Sequence, residues 1–551
     1  MALIFIAIFL KFSRDILYYS YYWQLKEYRF DRVLDFLHTK KGLKTFFSLS
    51  FLINFILILI FPLFIFIDKD IYIYLLLLFF FVGALKVLLE LVTKRLKKPI
   101  FTLKSILLVG GVFAVEVSIL TIFIIYNDFS YFLNLLSPIL PSIGKGEHIM
   151  ASAFYLLVLL IFIPFLVTLG VVILKPVTFL MKKRIINKAK AKIASMPDLK
   201  VIGITGSYGK TSTKEFLYTI LNQKFKTAKT GEHINVDIGV AQEVLTKVKK
   251  DSEVFIVEMG AYKIGEIKSS CDIAKPQIGI ITGINQQHLS LFGSQENIIK
   301  AKSELVKALP GDGTAILNFD NKFLAELKLK VKTLYYSLKK EKYCYASEIK
   351  ILPDKLKFRV HLGKEAEDFS VNIQGKHNIS NLLGCVIAAH EVGMSLTEIN
   401  KACRQIKPLE KTLRTLKGVN DSVLIDDSYN ANPDGVIEAL KFMNVYEDYK
   451  KIFVFPGILE LGKATKEAHI RVAKKAAEVC DYIFITATDF VKPIKEGLFD
   501  FPEENLIIET DQEKILQKIK KILEKDKSVV LFESRGAEKV ISSLKKDEAN
   551  N

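Results

Sequence analysis

Hydrophobic residues are unevenly distributed along the 551-residue chain, and their pattern changes near residue 185. Before that point, four long apolar stretches lie at about 45–67, 71–93, 105–126 and 153–174. Each approaches the ~20 residues that a helix needs to cross the hydrocarbon layer of a bilayer. The pattern therefore predicts an α-helical transmembrane region at residues 1–185.

The first twenty residues leave the number of membrane helices open at four or five. Their apolar run is interrupted by Lys11, Arg14 and Asp15, so it fits either a fifth span or an interfacial helix. We do not read the segment as a signal peptide, because it has no basic leader and no small-residue cleavage site.

Basic residues lie on one side of the apolar stretches. The segments 24–44, 94–104 and 182–192 are basic, whereas the loops at 67–70 and 127–150 are poor in lysine and arginine. Because basic loops stay in the cytoplasm, we expect a multi-pass protein of the cell (inner or plasma) membrane. Everything after residue 182 is expected to be cytoplasmic.

Three charged residues fall inside the apolar stretches. Lys86 and Glu90 are four residues apart on one helix face, and Glu116 interrupts the third stretch. Charges at membrane depth are often functional. A structural pair between helices is an equally good interpretation.

After residue 195, short apolar runs alternate with segments of helical spacing. Such continuous runs are typical of buried parallel strands, and they lie at 200–205, 253–259, 276–282, 422–427, 451–456, 481–486, 505–509 and 528–533. The segment 340–373 looks antiparallel, because "KLKFRVHLG" alternates. We predict a doubly wound α/β architecture in two domains, 195–407 and 408–551, with the boundary where Pro408 interrupts the pattern.

Composition narrows the function classes. The net charge is +18, but no arginine-rich stripe with interleaved aromatic residues is present, which argues against nucleic-acid binding. The five cysteines are scattered and contain no CxxC pair, so reduced thiols are expected.

The segment "GITGSYGKTSTKE" at 203–215 predicts a phosphate-binding loop. Glycines allow backbone N–H groups to approach phosphate oxygens, and the start of a helix adds positive potential. Lys210 would contact the phosphates and Thr211 would reach Mg²⁺. The strict GxxxxGK[ST] pattern is not met, because Ile204 occupies its first position, and a glycine-rich turn is the structural alternative. The expected loop residues are Gly206, Ser207, Gly209, Lys210, Thr211 and Ser212.

Two further polar residues follow predicted parallel strands, where ligands bind in such sheets. Glu258 ends the run "VFIVE", and His288 follows "IGIITGINQQ". Either residue alone could be structural, but their position at strand ends favours a metal site. Lys302, by its helical spacing alone, looks like a solvated surface lysine.

Six blocks in the soluble half resemble the Mur ligases, in the same order. They are "TGSYGKTSTKE", "VEMGAYKIGEI", "HLSLFGSQENIIKAKSEL", "GKHNISNLLGCVIAA", "DDSYNANPDGVIEAL" and "LELG…H". The block "SYNANP" is most similar to the MurF-type members. The resemblance covers about residues 198–540 and implies a central P-loop domain and a Rossmann-like C-terminal domain.

The resemblance also implies ATP-dependent amide ligation. A carboxylate would attack the γ-phosphate of ATP to give an acyl phosphate, and an amine would then displace the phosphate. The resemblance assigns magnesium ligation to Thr211, Glu258, His288 and a carbamylated Lys302. It places His377, Asn378 and Asn381 at the nucleotide, Arg414 at the γ-phosphate and Asp427 at the ribose. Tyr429, Asn430 and Asn432, with Pro433, would form a closing substrate loop.

Three departures from the family put the carboxylate substrate in question. The N-terminal domain that grips a UDP-sugar has no counterpart, and apolar stretches stand in its place. A family "KGSR" segment becomes "FESR" at 532–535, which replaces a substrate-binding lysine. The family "TNI" becomes "TGI" at 282–284.

The sequence thus predicts a membrane-anchored amide ligase of cell-wall precursor synthesis that uses ATP and Mg²⁺. Its expected partners are a UDP-linked or lipid-linked precursor, an amino acid or dipeptide, membrane lipid and other envelope-synthesis enzymes. A ligase acting on another envelope polymer is the first alternative. An ATP-driven transporter or membrane regulator is the second, although no second nucleotide-binding module is present.

Overall fold

The computed structural model describes residues 2–38, 40–66, 69–125, 148–232, 234–429, 431–459 and 461–546. The chain divides into two compact units, Met1–Lys182 and Lys183–Asn551.

The first unit is helical in its described residues. Its helices are α1 (Ala2–Leu25), α2 (Phe30–Leu37), α3 (Lys40–Phe46), α4 (Leu49–Phe66), α5 (Lys69–Val92) and α6 (Leu103–Ile125), followed by α7 (His148–Ala194), which continues into the second unit. Helix α1 packs against α5 and α6. Most of the loop predicted at 127–150 lies outside the described residues.

Two helices among the described residues are long and apolar enough to cross a membrane, Tyr74–Val92 and Phe154–Ala194. The apolar helix Leu49–Leu63 is shorter than the ~20 residues that a span requires. The expectation of four or five spans is thus matched by length and composition at two of the predicted stretches. α1 is a continuous helix in which Lys11, Arg14 and Asp15 are internal residues.

The charged residues of the first unit pair between helices. Arg14 Nη2 of α1 lies 3.0 Å from Glu90 Oε1 of α5, whereas Lys86 is exposed. Lys11 and Arg14 both form ion pairs with Asp15. Glu90 therefore takes part in an ion pair between helices, which supports the structural interpretation of this charge.

The second unit contains a mixed sheet formed by residues 200–371. Among the described residues its strands are β1 (Lys200–Thr205), β2 (Thr227–Lys229), β3 (Val254–Glu258), β4 (Ile278–Ile281), β5 (Thr314–Asn318), β6 (Lys332–Ser337), β7 (Cys344–Ile351), β8 (Leu356–Leu362) and β9 (Glu365–Val371). Their order is β2-β3-β1-β4-β5-β6-β7-β8-β9. The pairs from β2 to β7 are parallel, and β7, β8 and β9 pair in antiparallel fashion.

A second sheet is formed by residues 414–533. Its described strands are β10 (Arg414–Lys417), β11 (Val423–Asp427), β12 (Lys450–Phe455), β13 (Tyr482–Ile485), β14 (Leu506–Ile508) and β15 (Ser528–Glu533). Their order is β10-β11-β15-β12-β13-β14, and β10 alone of these pairs in antiparallel fashion.

Helices cover both faces of the two sheets. They are α8 (Lys210–Leu221), α9 (Asp237–Lys247), α10 (Glu266–Ala274), α11 (Leu289–Phe292), α12 (Gln295–Lys307), α13 (Lys322–Ala325), α14 (His377–Val392), α15 (Leu396–Cys403), α16 (Pro433–Met443), α17 (Thr465–Val479), α18 (Val491–Gly497), α19 (Gln512–Leu523) and α20 (Glu538–Leu544). Short 3₁₀ turns lie at Val419–Asp421, Gly462–Ala464 and Glu503–Asn505.

The strand order places a ligand-binding position at β1. The chain leaves β1 toward β2 and β3 on one side, and β4 then pairs on the opposite side of β1. Ligands of open α/β sheets bind at such a switch point, beyond the carboxyl ends of the strands. The predicted phosphate loop begins at this position, directly after Thr205.

Candidate active site

The predicted phosphate loop connects β1 to α8 through two glycines that no other residue can replace without strain. Gly206 has φ 153° and Gly209 has φ 73°. A Cβ atom at Gly206 would lie 2.0 Å from Thr282 Oγ1, and one at Gly209 would lie 2.5 Å from Asn381 Oδ1. The backbone of the loop is thus packed directly against its neighbours, as a close phosphate approach requires.

Lys210 occupies the first position of α8. Its Nζ donates a hydrogen bond to the Gly206 carbonyl oxygen at 2.9 Å. Burial lowers the pKa of Lys210, while the charge of Glu258 opposes that shift. The side chain is therefore folded back over the loop, beside the helix N-terminus that favours anions.

Glu258 lies beside the loop because its strand pairs with β1, with Ile204 and Glu258 in register. The side chain is only 3 % exposed. Its Oε2 accepts a hydrogen bond from Thr211 Oγ1 at 3.1 Å, and its Oε1 accepts one from Asn235 Nδ2 at 3.3 Å. The structure thus places a hydrogen bond between two residues that the resemblance assigns to magnesium.

Lys302 is not the surface lysine that its spacing alone suggested. It lies in α12 and is 3 % exposed. Burial, together with the charge of Lys210, lowers its pKa to about 7, although Glu266, Glu258 and Glu304 oppose the shift. A large share of the amine is therefore uncharged near neutral pH. The neutral amine is the form that can react with CO₂ to give a carbamate.

His288 stands at the start of α11 in a left-handed conformation with φ 61°. Its ring contacts that of Tyr262 edge-on, with 5.1 Å between centroids. Within the described residues, no group of three His, Cys, Asp or Glu side chains is arranged to hold a metal ion. The role of His288 as a metal ligand stays a prediction.

The block predicted to line the nucleotide begins α14 and contacts the phosphate loop. Asn378 Nδ2 donates to the Gln374 carbonyl oxygen at 2.8 Å, and Asn381 Nδ2 donates to Asn378 Oδ1 at 3.1 Å. These bonds hold Asn381 against Gly209. Burial lowers the pKa of His377, whose Nδ1 has no hydrogen-bond partner in the described part of the chain.

Part of the predicted closing loop reaches the phosphate loop. Tyr429 lies next to Thr211, and burial raises the pKa of this tyrosine. Asn432 caps α16 by accepting from the Gly435 N–H at 3.1 Å. It also accepts from Asn285 Nδ2 at 3.2 Å. Asn430 lies outside the described residues.

Arg414 and Asp427 are not joined to the phosphate loop by any hydrogen bond or ion pair among the described residues. Arg414 Nη1 lies 3.9 Å from Glu410 Oε1 near the surface. Asp427 Oδ1 accepts from the Leu413 N–H at 3.0 Å. Burial raises the pKa of Asp427 to about 6, while the hydrogen bond from the Leu413 N–H counters the shift. Their assigned contacts with ATP stay predictions.

Several residues of the site were missed by sequence reasoning. Asn235 and Asn285 are loop asparagines without a distinguishing pattern, and the fully buried Lys214 follows the loop at helical spacing. Glu533 could have been found, because it ends a predicted parallel strand, as Glu258 does.

Two protein families match the chain, and their domains follow the order that the sequence analysis predicts. The Mur ligase middle domain family matches residues 204–389, and the Mur ligase glutamate ligase domain family matches residues 413–536. Together these matches cover more than half of the chain.

The relatives with similar sequences are named as ligases. The UDP-N-acetylmuramoyl-tripeptide–D-alanyl-D-alanine ligase of Buchnera aphidicola is 32 % identical over 282 residues, which are 50 % of this chain and 62 % of the relative. The Bacillus subtilis ligase of the same name is 28 % identical, covering 63 % of this chain and 76 % of the relative. This chain thus spans about three-fifths to three-quarters of the length of these relatives.

Solved structures agree with the fold. The crystal structure of MurF from Acinetobacter baumannii has 27 % identity and a TM-score of 0.61, covering 66 % of this chain and 80 % of that one. The MurF ligase of Thermotoga maritima, solved with ADP, has 24 % identity and a TM-score of 0.58 over 66 % of this chain and 82 % of that one, a likeness of fold. With two domain families matched in order and a shared architecture, the chain belongs to the Mur ligase family.

Proposed function

We propose that the protein is a membrane-anchored, ATP-dependent carboxylate–amine ligase that extends a cell-wall precursor in the manner of MurF. The hydrogen bond between Thr211 and Glu258 at 3.1 Å carries the proposal, because it unites the phosphate loop with the strand-end carboxylate. The names of the relatives indicate a precursor peptide as the acceptor and an amino acid or dipeptide as the amine.

The residues of the loop have clear tasks in such a reaction. Backbone N–H groups at the start of α8 and the Lys210 ammonium would bind the transferred phosphoryl group and stabilise its charge. An acceptor carboxylate aligned with this group would form an acyl phosphate and release ADP. The amine would then attack the acyl carbon, form the amide bond and release phosphate.

The donor set beside the loop fits a magnesium ion. Mg²⁺ takes one or two carboxylates and completes its shell with phosphate oxygens and water, so the Glu258 carboxylate and the Thr211 hydroxyl suffice as protein ligands. When bound, the ion would neutralise charge on the phosphates. A carbamate formed on Lys302 would add a second anionic group, and its buried amine, whose pKa is lowered to about 7, supports this assignment.

Closure of the C-terminal domain would protect the acyl phosphate from water. This role is supported by contacts between residues of 205–290 and residues of 429–434. Asn285 Nδ2 donates to Asn432 Oδ1 and Asp434 Oδ2, and Tyr429 lies next to Thr211. Tyr429 and Asn432 are therefore proposed to line the substrate side of the closed site.

A membrane location is supported by the surface of the first unit. Large apolar side chains are exposed along α4, α5 and the first half of α7, including Leu59, Leu78, Val82, Phe165 and Ile173. Water-exposed surfaces rarely carry such a contiguous apolar area. A lipid-linked precursor is a second candidate acceptor, because this surface would place the ligase beside it.

The proposal is tested by ADP release from the detergent-solubilised protein across pairs of acceptors and amines. Release that requires both a carboxylate acceptor and an amine supports a ligase, whereas release that requires only a transported solute contradicts it.

Lys210→Ala should reduce ADP release at least 100-fold while the protein stays folded, because the charge that stabilises the phosphoryl group is lost. Lys224→Ala is the matched control, since Lys224 pairs with Glu398 at the surface and should keep full activity. Near wild-type turnover of Lys210→Ala would refute the assignment of the ATP site.

A further inference from the structure

A buried lysine behind the site has no part in the proposed chemistry. Lys214 lies one helical turn after Lys210 in α8, and its side chain is 0 % exposed. A buried ammonium group is costly unless it is fully paired and hydrogen-bonded. The groups that surround its ammonium therefore indicate the role of this lysine.

Three oxygen atoms surround the Lys214 ammonium, one through a hydrogen bond and two through ion pairs. Its Nζ lies 3.1 Å from the Gly231 carbonyl oxygen, 3.3 Å from Glu258 Oε2 and 3.5 Å from Glu215 Oε1. An ammonium group has three donor hydrogens and no acceptor. Lys229 forms an ion pair with the other oxygen of Glu215, which keeps the Glu215 carboxylate beside Lys214.

The two oxygens of Glu258 are consequently unequal. Oε2 is paired with the Lys214 ammonium and accepts from the Thr211 hydroxyl, whereas among the described residues Oε1 accepts a hydrogen bond from the Asn235 amide, at a longer 3.3 Å. A divalent cation on Oε2 would lie about 2–2.5 Å from that oxygen, and it would repel an ammonium group held 3.3 Å from the same atom. The shortest approach of the Lys214 ammonium to Glu258 is at Oε2, so Oε1 is the oxygen farther from this charge.

We propose that Lys214 is a specificity-determining residue that limits Glu258 to one metal-binding oxygen and thereby favours Mg²⁺ over Ca²⁺. Mg²⁺ requires a compact octahedral shell and bonds a carboxylate through single oxygens, whereas Ca²⁺ accepts bidentate carboxylates and larger, looser shells. The inference rests on the proposed function only in placing a nucleotide-bound cation at Glu258.

The test compares the affinity of full-length protein for ADP in the presence of Mg²⁺ and of Ca²⁺. Lys214→Met removes the charge but keeps most of the aliphatic stem, and Lys214→Gln removes the charge but keeps a donor for Gly231 and Glu258. Both variants should raise the Ca²⁺-to-Mg²⁺ affinity ratio, by about 10-fold for Met and at least 3-fold for Gln. The variant-to-wild-type comparison cancels the affinity of ADP itself for each metal.

Lys224→Met is the matched control, because it removes a lysine that pairs with a carboxylate at the surface and should leave the ratio unchanged. A lysine that only supports the fold would lower the melting temperature of the Met variant without moving the ratio. An unchanged ratio in a folded variant overturns the inference and leaves the ligase proposal intact. Absence of any metal-dependent ADP binding to the wild-type protein overturns both.

A second measurement needs no variant. In a crystal structure of the wild-type protein with ADP and Mg²⁺, Glu258 should bind the metal through Oε1 alone, with Lys214 still within hydrogen-bond distance of Oε2. A bidentate Glu258, or a metal on Oε2, would refute the assignment even if the substituted proteins did not fold.

Discussion

At the scale of single residues, one departure from the family is explained by a neighbour in space. The family "TNI" is "TGI" here, and a Cβ atom at Gly283 would lie 2.1 Å from the Tyr208 hydroxyl oxygen and 2.2 Å from its Cζ. Tyr208 belongs to the phosphate loop, and its burial raises its pKa to about 12. The tyrosine ring thus fills the space that a side chain at position 283 would need.

We expect Gly283→Asn to reduce ADP release at least 10-fold, because the new side chain must push Tyr208 and the loop away from their positions. The double variant Tyr208→Asn/Gly283→Asn should recover much of the loss, since the space is then free. Steady-state kinetics with ATP as the varied substrate measures both. Equal losses in the single and double variants would show that the contact does not explain the glycine.

A second residue-scale feature is the buried carboxyl pair Asp427 and Glu533. Their strands β11 and β15 pair in register at these two residues, and the two buried carboxyl groups interact with each other. Burial raises the pKa of Asp427 to about 6, and burial with the charge of Asp427 raises that of Glu533. The nearby Asp426 adds to the shift of Asp427.

These shifts predict a loss of stability as the pH rises. The pKa of Asp in an unfolded chain is about 3.9, so between roughly pH 4 and 6 the folded state holds a proton that the unfolded state releases. Stability therefore falls with pH across this window. Glu533→Gln removes one of the two buried acids and should stabilise the protein by about 1–3 kcal/mol at pH 8, with a smaller gain at pH 5.

Urea unfolding at the two pH values measures this difference, with the surface substitution Glu503→Gln as the control. A gain of the same size at both pH values would mean that ionisation of the pair is not its cause.

At the scale of elements, most buried strands could be predicted, and so could the edge strand β14 at 505–509. The interior strands β5 and β6 and the edge strands β2 and β10 were missed. The apolar runs at 200–205, 451–456 and 528–533 coincide closely with β1, β12 and β15, because strands covered on both faces are apolar throughout. The edge strand β9 has the sequence "EAEDFSV" with mostly solvent-exposed side chains at its start. Its pairing comes from β8, which no local pattern reports.

For the candidate site too, local sequence patterns predict some residues and miss others. Lys210, Thr211 and Glu258 could be predicted as neighbours because phosphate loops and strand ends follow general rules. Asn235 and Asn285 act through tertiary hydrogen bonds, and such bonds leave no periodic signal in the sequence.

An element-scale prediction concerns the start of α16. Asn285 Nδ2 donates to Asn432 Oδ1 and Asp434 Oδ2, both at 3.2 Å. Asn285→Ala removes both bonds, each worth about 0.5–1.5 kcal/mol, from a contact that we expect to form part of the closed state. We therefore expect a 5- to 50-fold lower kcat/KM for the amine, with little change in thermal stability.

Arg471→Ala is the control, because Arg471 pairs with the other oxygen of Asp434 at 2.7 Å from the exposed face of α17. It should leave the kinetics nearly unchanged. If the two variants lose activity equally, Asp434 rather than the contact with Asn285 is responsible.

At the scale of the whole molecule, the second unit contains the proposed catalytic groups and apolar cores of its own. Hydrophobic clusters cover both faces of each of its sheets. The first unit has its own apolar core on α1, α5, α6 and α7. The sequence indicated this division near residue 185, because the hydrophobic pattern changes there from ~20-residue runs to short ones.

The size of the first unit is more than anchoring needs, because one inserted transmembrane helix already anchors a protein almost irreversibly. Its interior is also polar in places: Lys11, Arg14, Asp15 and Glu90 form an ion-pair network between α1 and α5, and Glu116 is 2 % exposed. Such groups are costly in an apolar environment. The ion pairs join α1 to α5 and so support the packing of this unit, whereas the Glu116 carboxylate has no hydrogen-bond partner among the described residues and is not explained by tethering.

We therefore expect the first unit to affect the choice of acceptor. A chain that begins at Lys183 should fold and release ADP with ATP, a soluble UDP-linked precursor and an amine. The full-length protein in lipid vesicles should use a lipid-linked precursor at least 10-fold more efficiently than the shortened chain supplied with the same vesicles. Comparing kcat/KM for the two acceptors and the two chains decides the matter. If the shortened chain uses the soluble precursor as well as the full-length protein, and the latter ignores the lipid-linked one, the first unit is only a tether.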